Sequence, residues 1–536
     1  MKKIATLLLA AGLVFGAATG ASAIDFKAKG QWIMSFDYGQ NGAFVGKSNG
    51  RTPVGWNGKE DDFEARQRVR LQLDAVASES LSGTVYFEIG DTIWGQNSTG
   101  GALGADGKIV ELKQAYIDWM VPETDLKVRM GIQNITTPAY ASGNSVLNDD
   151  VAGIVASYQV NEMVGITAFW ARPYNDNFGG FNDKDHKNWR ANYMDNMDAV
   201  GLLVPLSFDG AKVTPWGMYA GIGPNTFRLN QKVEERDADG KLTVTYPNNW
   251  AGNIANLGAG RNFVNSGLFP VGGAMHRDFT NANGRDNGGR NLSSYANAWW
   301  GGISADITIW DPFRVAFDFE YGSVTWEDDG RLNRQGWFAT LLAEYKLDWA
   351  TPGLYGWYAS GDDSNPANGS ERLPTLDGNN TNKYSNFAFD GDPYIARDAV
   401  VGHSMAGTWG IGGRLKDMSF VENLKHTFRV NYIGGTNSTT MAKKLSKAGY
   451  WANSGGVDGL MGMDALYLTT GDSALEFGLT NTYKMYDNFT ISLEADYIAL
   501  WLDTSTSAWG ARHKEGKSIP QTKDAWNINA SFVYSF

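Results

Sequence analysis

Arg66, Arg68 and Arg70 occupy every second position of the run Ala65-Arg66-Gln67-Arg68-Val69-Arg70-Leu71-Gln72-Leu73. In an extended strand, steps of two put three guanidiniums on one face about 7 Å apart. A guanidinium stays charged at any physiological pH and grips carboxylates or phosphates through paired N–H donors. The chemistry such a row offers is anion recognition. Lys27 and Lys29, and later Lys127 and Arg129, repeat the spacing. Two readings stay open for the set. It is either a basic ladder presented to solute, or a series of cross-strand pairs with Glu64, Asp74, Glu88 and Asp118 that holds a wall together.

Bond-making chemistry finds few parts. The chain has no Cys, and its 5 His (His186, His276, His403, His426 and His513) include no pair at metal-ligand spacing. Disulfides, thiolate metal sites and a Cys nucleophile are excluded. No His sits beside a persuasive nucleophile motif, so the chain is expected not to be an enzyme, and no cofactor or metal is expected. Asp237-Ala238-Asp239-Gly240 opens like a calcium loop but lacks the later ligands, and reads better as a hairpin turn.

The elements that position the row must be strands. Of 536 residues, 43% are hydrophobic and 13% aromatic, and with 65 Gly against 15 Pro the balance favours strands joined by glycine-bearing loops. Residues 1–23 carry Lys2 and Lys3, an apolar core and the ending Ala21-Ser22-Ala23, the pattern of a cleaved secretory signal peptide. Beyond residue 23 no run approaches the ~18 uncharged apolar residues a membrane helix needs. Removing Lys2 and Lys3 from 46 basic side chains leaves 44 against 58 acidic, a net of −14, which makes nucleic acid an unsuitable partner. Residues 24–536 are then expected to form one domain.

Alternation recurs along that domain. Phe26, Ala28, Trp32, Met34, Phe36 and Tyr38 share one face, as do Phe313, Val315, Phe317, Phe319 and Tyr321, and at the C-terminus Trp526, Ile528, Ala530, Phe532, Tyr534 and Phe536. Short turns alternate with long polar segments such as Gly223 to Ala296 and Asp362 to His403. Since backbone groups in lipid must all be paired, strands cross a membrane only as a closed sheet. The expected fold is all-β, a transmembrane antiparallel β-barrel of 18 strands, with 16 as the alternative if Lys212 to Ile222 or Leu354 to Ser360 is split wrongly. Pro205 and Pro215 count locally against the strands that contain them. A barrel of this size has a lumen its own side chains do not fill. With no plug domain ahead of the first strand, an open, water-filled pore is expected.

By strand parity Arg314, Arg414 and Arg429 also face inward, with the acids Asp318, Glu320, Glu344, Glu476, Glu494 and Asp496, bases slightly outnumbering acids over the whole wall. The third long loop, Asn134 to Asp150, carries Asp149 and Asp150. It either folds into the pore, setting those acids against the arginines, or lies outside as an ordinary loop. Of Trp299 and Trp300, one ring is expected in the membrane-interface girdle and one inside. Phe536, with Tyr534 and Phe532, resembles the terminal signal by which outer-membrane barrels are recognised by their assembly machinery.

Ile24-Asp25-Phe26-Lys27-Ala28-Lys29-Gly30, the Ala65 to Leu73 run, Leu81-Ser82-Gly83-Thr84-Val85-Tyr86-Phe87-Glu88-Ile89-Gly90 and Gln114-Ala115-Tyr116-Ile117-Asp118-Trp119 resemble the outer-membrane homotrimeric porins of Desulfovibrio-type sulfate reducers. The resemblance implies a trimeric diffusive pore for small hydrophilic solutes and ions, in contact with outer-membrane lipid and lipopolysaccharide. A substrate-selective channel, and a surface adhesin or structural barrel, are the alternatives.

Overall fold

In the computed structural model the described residues are 24–40, 44, 63–107, 109–174, 197–223, 233–236, 242–245, 267–270, 295–327, 330–376, 383–389, 399–402, 404–447, 466–503 and 523–536. Residues 1–23, expected as a signal peptide, and the histidines other than His426 lie outside them.

The chain runs up and down as β1 (Asp25–Gln40), β2 (Phe63–Ser78), β3 (Leu81–Ile93), β4 (Val110–Met120), β5 (Leu126–Thr136), β6 (Asn148–Gln159) and β7 (Gly165–Tyr174). There follow β8 (Met197–Leu203 with Leu206–Phe208), β9 (Ala211–Ile222), β10 (Ala296–Ile307), β11 (Phe313–Trp326), β12 (Arg334–Tyr345) and β13 (Thr351–Ala359). The last are β14 (Thr408–Val421), β15 (Leu424–Gly435), β16 (Ser473–Tyr486), β17 (Phe489–Trp501) and β18 (Ala525–Ser535). Each pairs antiparallel with the next, and β1 pairs with β18, so 18 strands form a closed ring. In a separate two-stranded sheet Val233–Arg236 pairs with Leu242–Thr245, while Asp237 to Gly240, expected as a hairpin turn, lies outside the described residues.

Both prolines that argue against strands fall at one defect. β8 is interrupted at Val204 and Pro205, and β9 bonds to its two halves on either side, Trp216 opposite Leu203 and Val213 opposite Leu206. Val204 still donates its N–H to the Pro215 carbonyl at 3.0 Å. The ladder is already broken where each proline would lack a donor, so Lys212 to Ile222 remains a strand. The sequence reads Lys416 to Asn423 as a short turn; the turn is there but tighter, at Glu422 and Asn423, because β14 runs on to Val421 through two register irregularities.

The outer face is apolar. Tyr38, Tyr321, Trp337, Tyr358 and Trp409 lie exposed toward the long-loop ends of their strands, Trp310, Phe313, Trp349 and Phe420 near the short turns, and Leu341, Leu354 and Ile411 between. This is a lipid-facing band with an aromatic girdle at each rim. Trp299 joins the outer girdle, while Trp300 points inward and donates to the Pro374 carbonyl at 2.8 Å.

The seam shows both faces in one place. Gly30 N donates to Phe536 O at 2.9 Å and Phe536 N to Gly30 O at 3.0 Å. Outside, Trp32 meets Phe536 at 5.3 Å between ring centroids and Phe36 meets Phe532 at 6.0 Å. Inside, Asp37 accepts from Asn527 and Asn529 at 2.7 and 3.1 Å, and Ser35 bonds to Asn529 and Ser531.

Candidate functional site: the barrel lumen

β2 pairs with β1 so that Arg66, Arg68 and Arg70 lie opposite Ser35, Ile33 and Gln31, on the inner face. Each guanidinium has a carboxylate. Arg66 pairs with Glu64, Arg70 with Glu88 at 2.7 Å, and Arg68 with both Asp91 Oδ atoms at 2.6 Å, with Glu88 at 3.5 Å. Asp91 is the unexpected partner. Counting by twos from Glu88 turns it to lipid, but a bulge between Gln67 and Val69, opposite Gly90, resets the parity and brings it inside. Gly90 has φ +121°, and a Cβ there would meet the Gln67 carbonyl at 2.6 Å, so the bulge requires glycine. Among the described residues Asp74 takes no arginine. It accepts from Gln72 and Thr84 at 2.8 and 2.7 Å.

Further along the wall Asp118 on β4 takes Arg129 through two bonds of 2.6 and 2.8 Å, and Lys127 at 3.2 Å. The Arg129 guanidinium also lies 3.9 Å from the Tyr116 ring centroid. Thus five bases on β2 and β5 meet four acids, Glu64, Glu88, Asp91 and Asp118. The geometry combines both sequence readings, since the bases face inward and are paired as well. Their side chains keep between 16% and 43% exposure, so they remain accessible from the lumen. Lys27 and Lys29 stand apart at the short-turn end of β1, where Lys27 reaches Asp25 at 3.8 Å.

Asp149 and Asp150 do not sit where expected. β5 continues to Thr136 and β6 begins at Asn148, so both acids are strand residues, opposite Ile135 and Asn134. Asp150 takes Lys113 at 2.8 Å and Gln114 at 2.6 Å, both on β4. The intervening loop, residues 137–147, holds no acid to set against the arginines. It does enter the barrel. Asp318 on β11 accepts the backbone N–H of Tyr140, Ala141 and Ser142 at 2.7, 2.9 and 3.2 Å. Ser304 on β10 donates to the Pro138 carbonyl at 3.0 Å, and the Tyr140 hydroxyl meets Thr214 on β9 at 2.9 Å. β11 is nine strands from β2, halfway round a ring of 18. The loop therefore lies on the wall opposite the arginine row.

More of the interior is furnished by other loops. Glu476 on β16 accepts Ser385 Oγ and the N–H groups of Phe387 and Ala388 at 2.8, 2.9 and 3.0 Å, and its second oxygen takes Asn431 at 2.7 Å. Tyr384 stacks on Tyr355 at 4.0 Å. Arg334, fully buried, donates to the carbonyls of Phe269 and Leu373 at 3.1 and 2.7 Å. Segments near 268, 373, 387, 400 and 467 join the inner faces of β9 to β17 in one apolar cluster. The acids Asp318, Glu320, Glu476, Glu494 and Asp496 are consequently buried, none above 5% exposed. Strand parity places them correctly inside but does not show that loops cover them.

Among the covered wall's bases, Arg314 pairs with Asp306 and Glu344, each at 2.7 Å, and Arg414 with Glu344 at 2.6 Å. Arg429 donates to Thr480 at 3.2 Å. Lys383, on an inward loop, donates from Nζ to the Tyr140 carbonyl at 3.3 Å. The surrounding protein pushes its ammonium below the usual lysine range; Arg314 and Arg414 add to the fall and Asp318 opposes it.

No family model matches the chain, and no curated protein does. Solved structures similar to it include the outer-membrane protein OprD of Pseudomonas aeruginosa, 10% identical over 97% of this chain and 95% of that one, with a TM-score of 0.46. OpdK of the same organism, solved with vanillate, is 9% identical over 95% and 98%, TM-score 0.46. Acinetobacter baumannii OccAB3 is 7% identical over 95% and 100%, TM-score 0.46.

Proposed function

We propose that the chain is an outer-membrane porin: a water-filled channel through which small hydrophilic solutes and ions diffuse, narrowed by its own inward loops. The observation that carries this reading is the closed ring of 18 strands, apolar outside and charged inside along β2 to β5. A closed sheet with a lipid-facing band has no edge to satisfy and needs no further partner to cross a bilayer. The large lumen expected from strand number is reduced by the loops on β9 to β17, which favours a narrow, selective passage over a wide one. On the open wall, guanidiniums and carboxylates alternate at contact distance, so solutes that carry charge or strong dipoles are favoured over apolar ones.

Purified protein in a planar bilayer is expected to conduct in discrete steps, with a conductance below that of a barrel of this size without inward loops. Absence of stepwise conductance from correctly folded protein overturns the reading. The resemblance to Desulfovibrio-type porins extends the proposal to a homotrimer. Cross-linking in native membranes that yields monomer alone removes that part.

A further inference from the structure

The inner wall carries a device the channel reading does not require: carboxylates that hold loops by their main chain. Asp318 is 1% exposed, and its two oxygens accept three successive N–H groups from residues 140–142. Successive N–H groups converging on one anion form a compact binding concavity, and bonds to an ionised acceptor are about twice as strong as neutral ones. Glu476 repeats the device with Phe387 and Ala388. The loop that Asp318 holds has no charge of its own; among the described residues its other polar ties include single neutral bonds with Ser304 and Thr214, one of 3.3 Å from Arg314 to the Tyr140 carbonyl, and bonds from neighbouring inward segments, Lys383 N to the Ser142 carbonyl at 2.8 Å and Leu376 N to the Val146 carbonyl at 3.0 Å.

We propose that Asp318 is the positioning residue that keeps the 137–147 loop folded back against β9 to β11, and so sets the free cross-section of the lumen. This rests on the channel reading for its consequence, though not for its geometry. Without the carboxylate, three N–H groups lose their acceptor. The loop then moves off the wall, into the lumen or out of it.

The absence of native Cys makes the position of the loop directly readable. Ser142 is 2% exposed, so a Ser142→Cys protein should react slowly with a membrane-impermeant maleimide. Adding Asp318→Asn should speed labelling about tenfold, the factor that ~1.4 kcal/mol makes in an equilibrium. It should also change the single-channel conductance and the ratio of trisaccharide to monosaccharide uptake in proteoliposomes. Glu476→Gln, at the other hook, should leave the labelling rate of the Ser142→Cys protein unchanged.

Unchanged labelling and conductance on adding Asp318→Asn overturn the proposal. Equal acceleration by Glu476→Gln overturns it too, because the effect is then general loosening. If Asp318→Asn does not assemble, the same measurements on Asp318→Ser decide the matter by the same criteria. A parent that fails to conduct while its loop labels as expected defeats the channel reading and leaves the latch standing.

Discussion

Arg68 takes a two-bond pair with Asp91 and a second acid, Glu88, on the inner face of β2. Changing Arg66, Arg68 and Arg70 together to Ser removes three guanidiniums from beside Glu64, Glu88 and Asp91 and makes that wall more negative. The reversal potential in a KCl gradient should move toward cations, and by more than three times the effect of Arg70→Ser alone. Glu88, shared by Arg68 and Arg70, still has one partner after the single change. A triple variant with the parent reversal potential would show that the row does not line the ion path. Lys383 gives the wall a second, pH-dependent term. With its ammonium held below the usual lysine range, it loses its positive charge on the alkaline side before ordinary lysines do. Raising the pH should therefore shift the parent toward cations earlier than Lys383→Arg, whose guanidinium stays charged throughout.

At the level of elements, periodicity makes most of the strands legible, because every crossing strand must show one face to lipid and the other to the lumen. Arg66, Arg68, Arg70, Lys127 and Arg129 are all inward for that reason alone. Two things escape it. A bulge changes parity without leaving an apolar signature, so the sequence gives no sign of Asp91 beside Arg68. Loop return is set by main-chain bonds, whose donors look alike in every sequence, so the burial of Asp318 and Glu476 is hidden there. The seam supports a prediction of its own. Phe536 is bonded to Gly30 in both directions, and a Cβ on Gly30 would meet the Phe536 ring at 2.5 Å. Deleting Phe536, or replacing Gly30→Val, should lower the amount of heat-modifiable barrel in the membrane while surviving pores conduct as the parent does. Normal assembly of both variants refutes a closing role for this contact. On the lipid face Leu341 lies between the Trp337 and Tyr345 ends of β12. Leu341→Arg should reduce folding stability in vesicles by about 2–4 kcal/mol, as measured by urea titration.

For the whole molecule, the paired open wall and the buried acids redistribute charge in a way that net composition conceals. The chain is acidic at −12 overall, yet five of the inner-wall acids lie behind loops, and the bases on β2 and β5 outnumber their acids by one. Loop charges in water are screened within about 8 Å at physiological ionic strength, while charges lining a narrow passage act at contact. Anions should be modestly preferred in concentrated monovalent salt, with a drift toward cations as salt is diluted. Reversal potentials over a dilution series give the answer, and a preference independent of salt would show that one region alone governs the ion.

The manner in which the 137–147 loop hangs on Asp318 also bears on how such a pore can be remodelled. Three of its holding bonds are made by amide groups that every residue except proline possesses. A graft that keeps the length of this loop, avoids proline at positions 140–142 and retains Gly143, with φ +156°, and Asn144, which bonds Thr137 and the N–H groups of Val146 and Leu147, can exchange its remaining lumen-facing side chains while keeping the same suspension point. The wall then serves as a fixed frame with interchangeable inserts, and the preference of the channel becomes a property that can be rewritten in a stretch of 11 residues, without touching a strand.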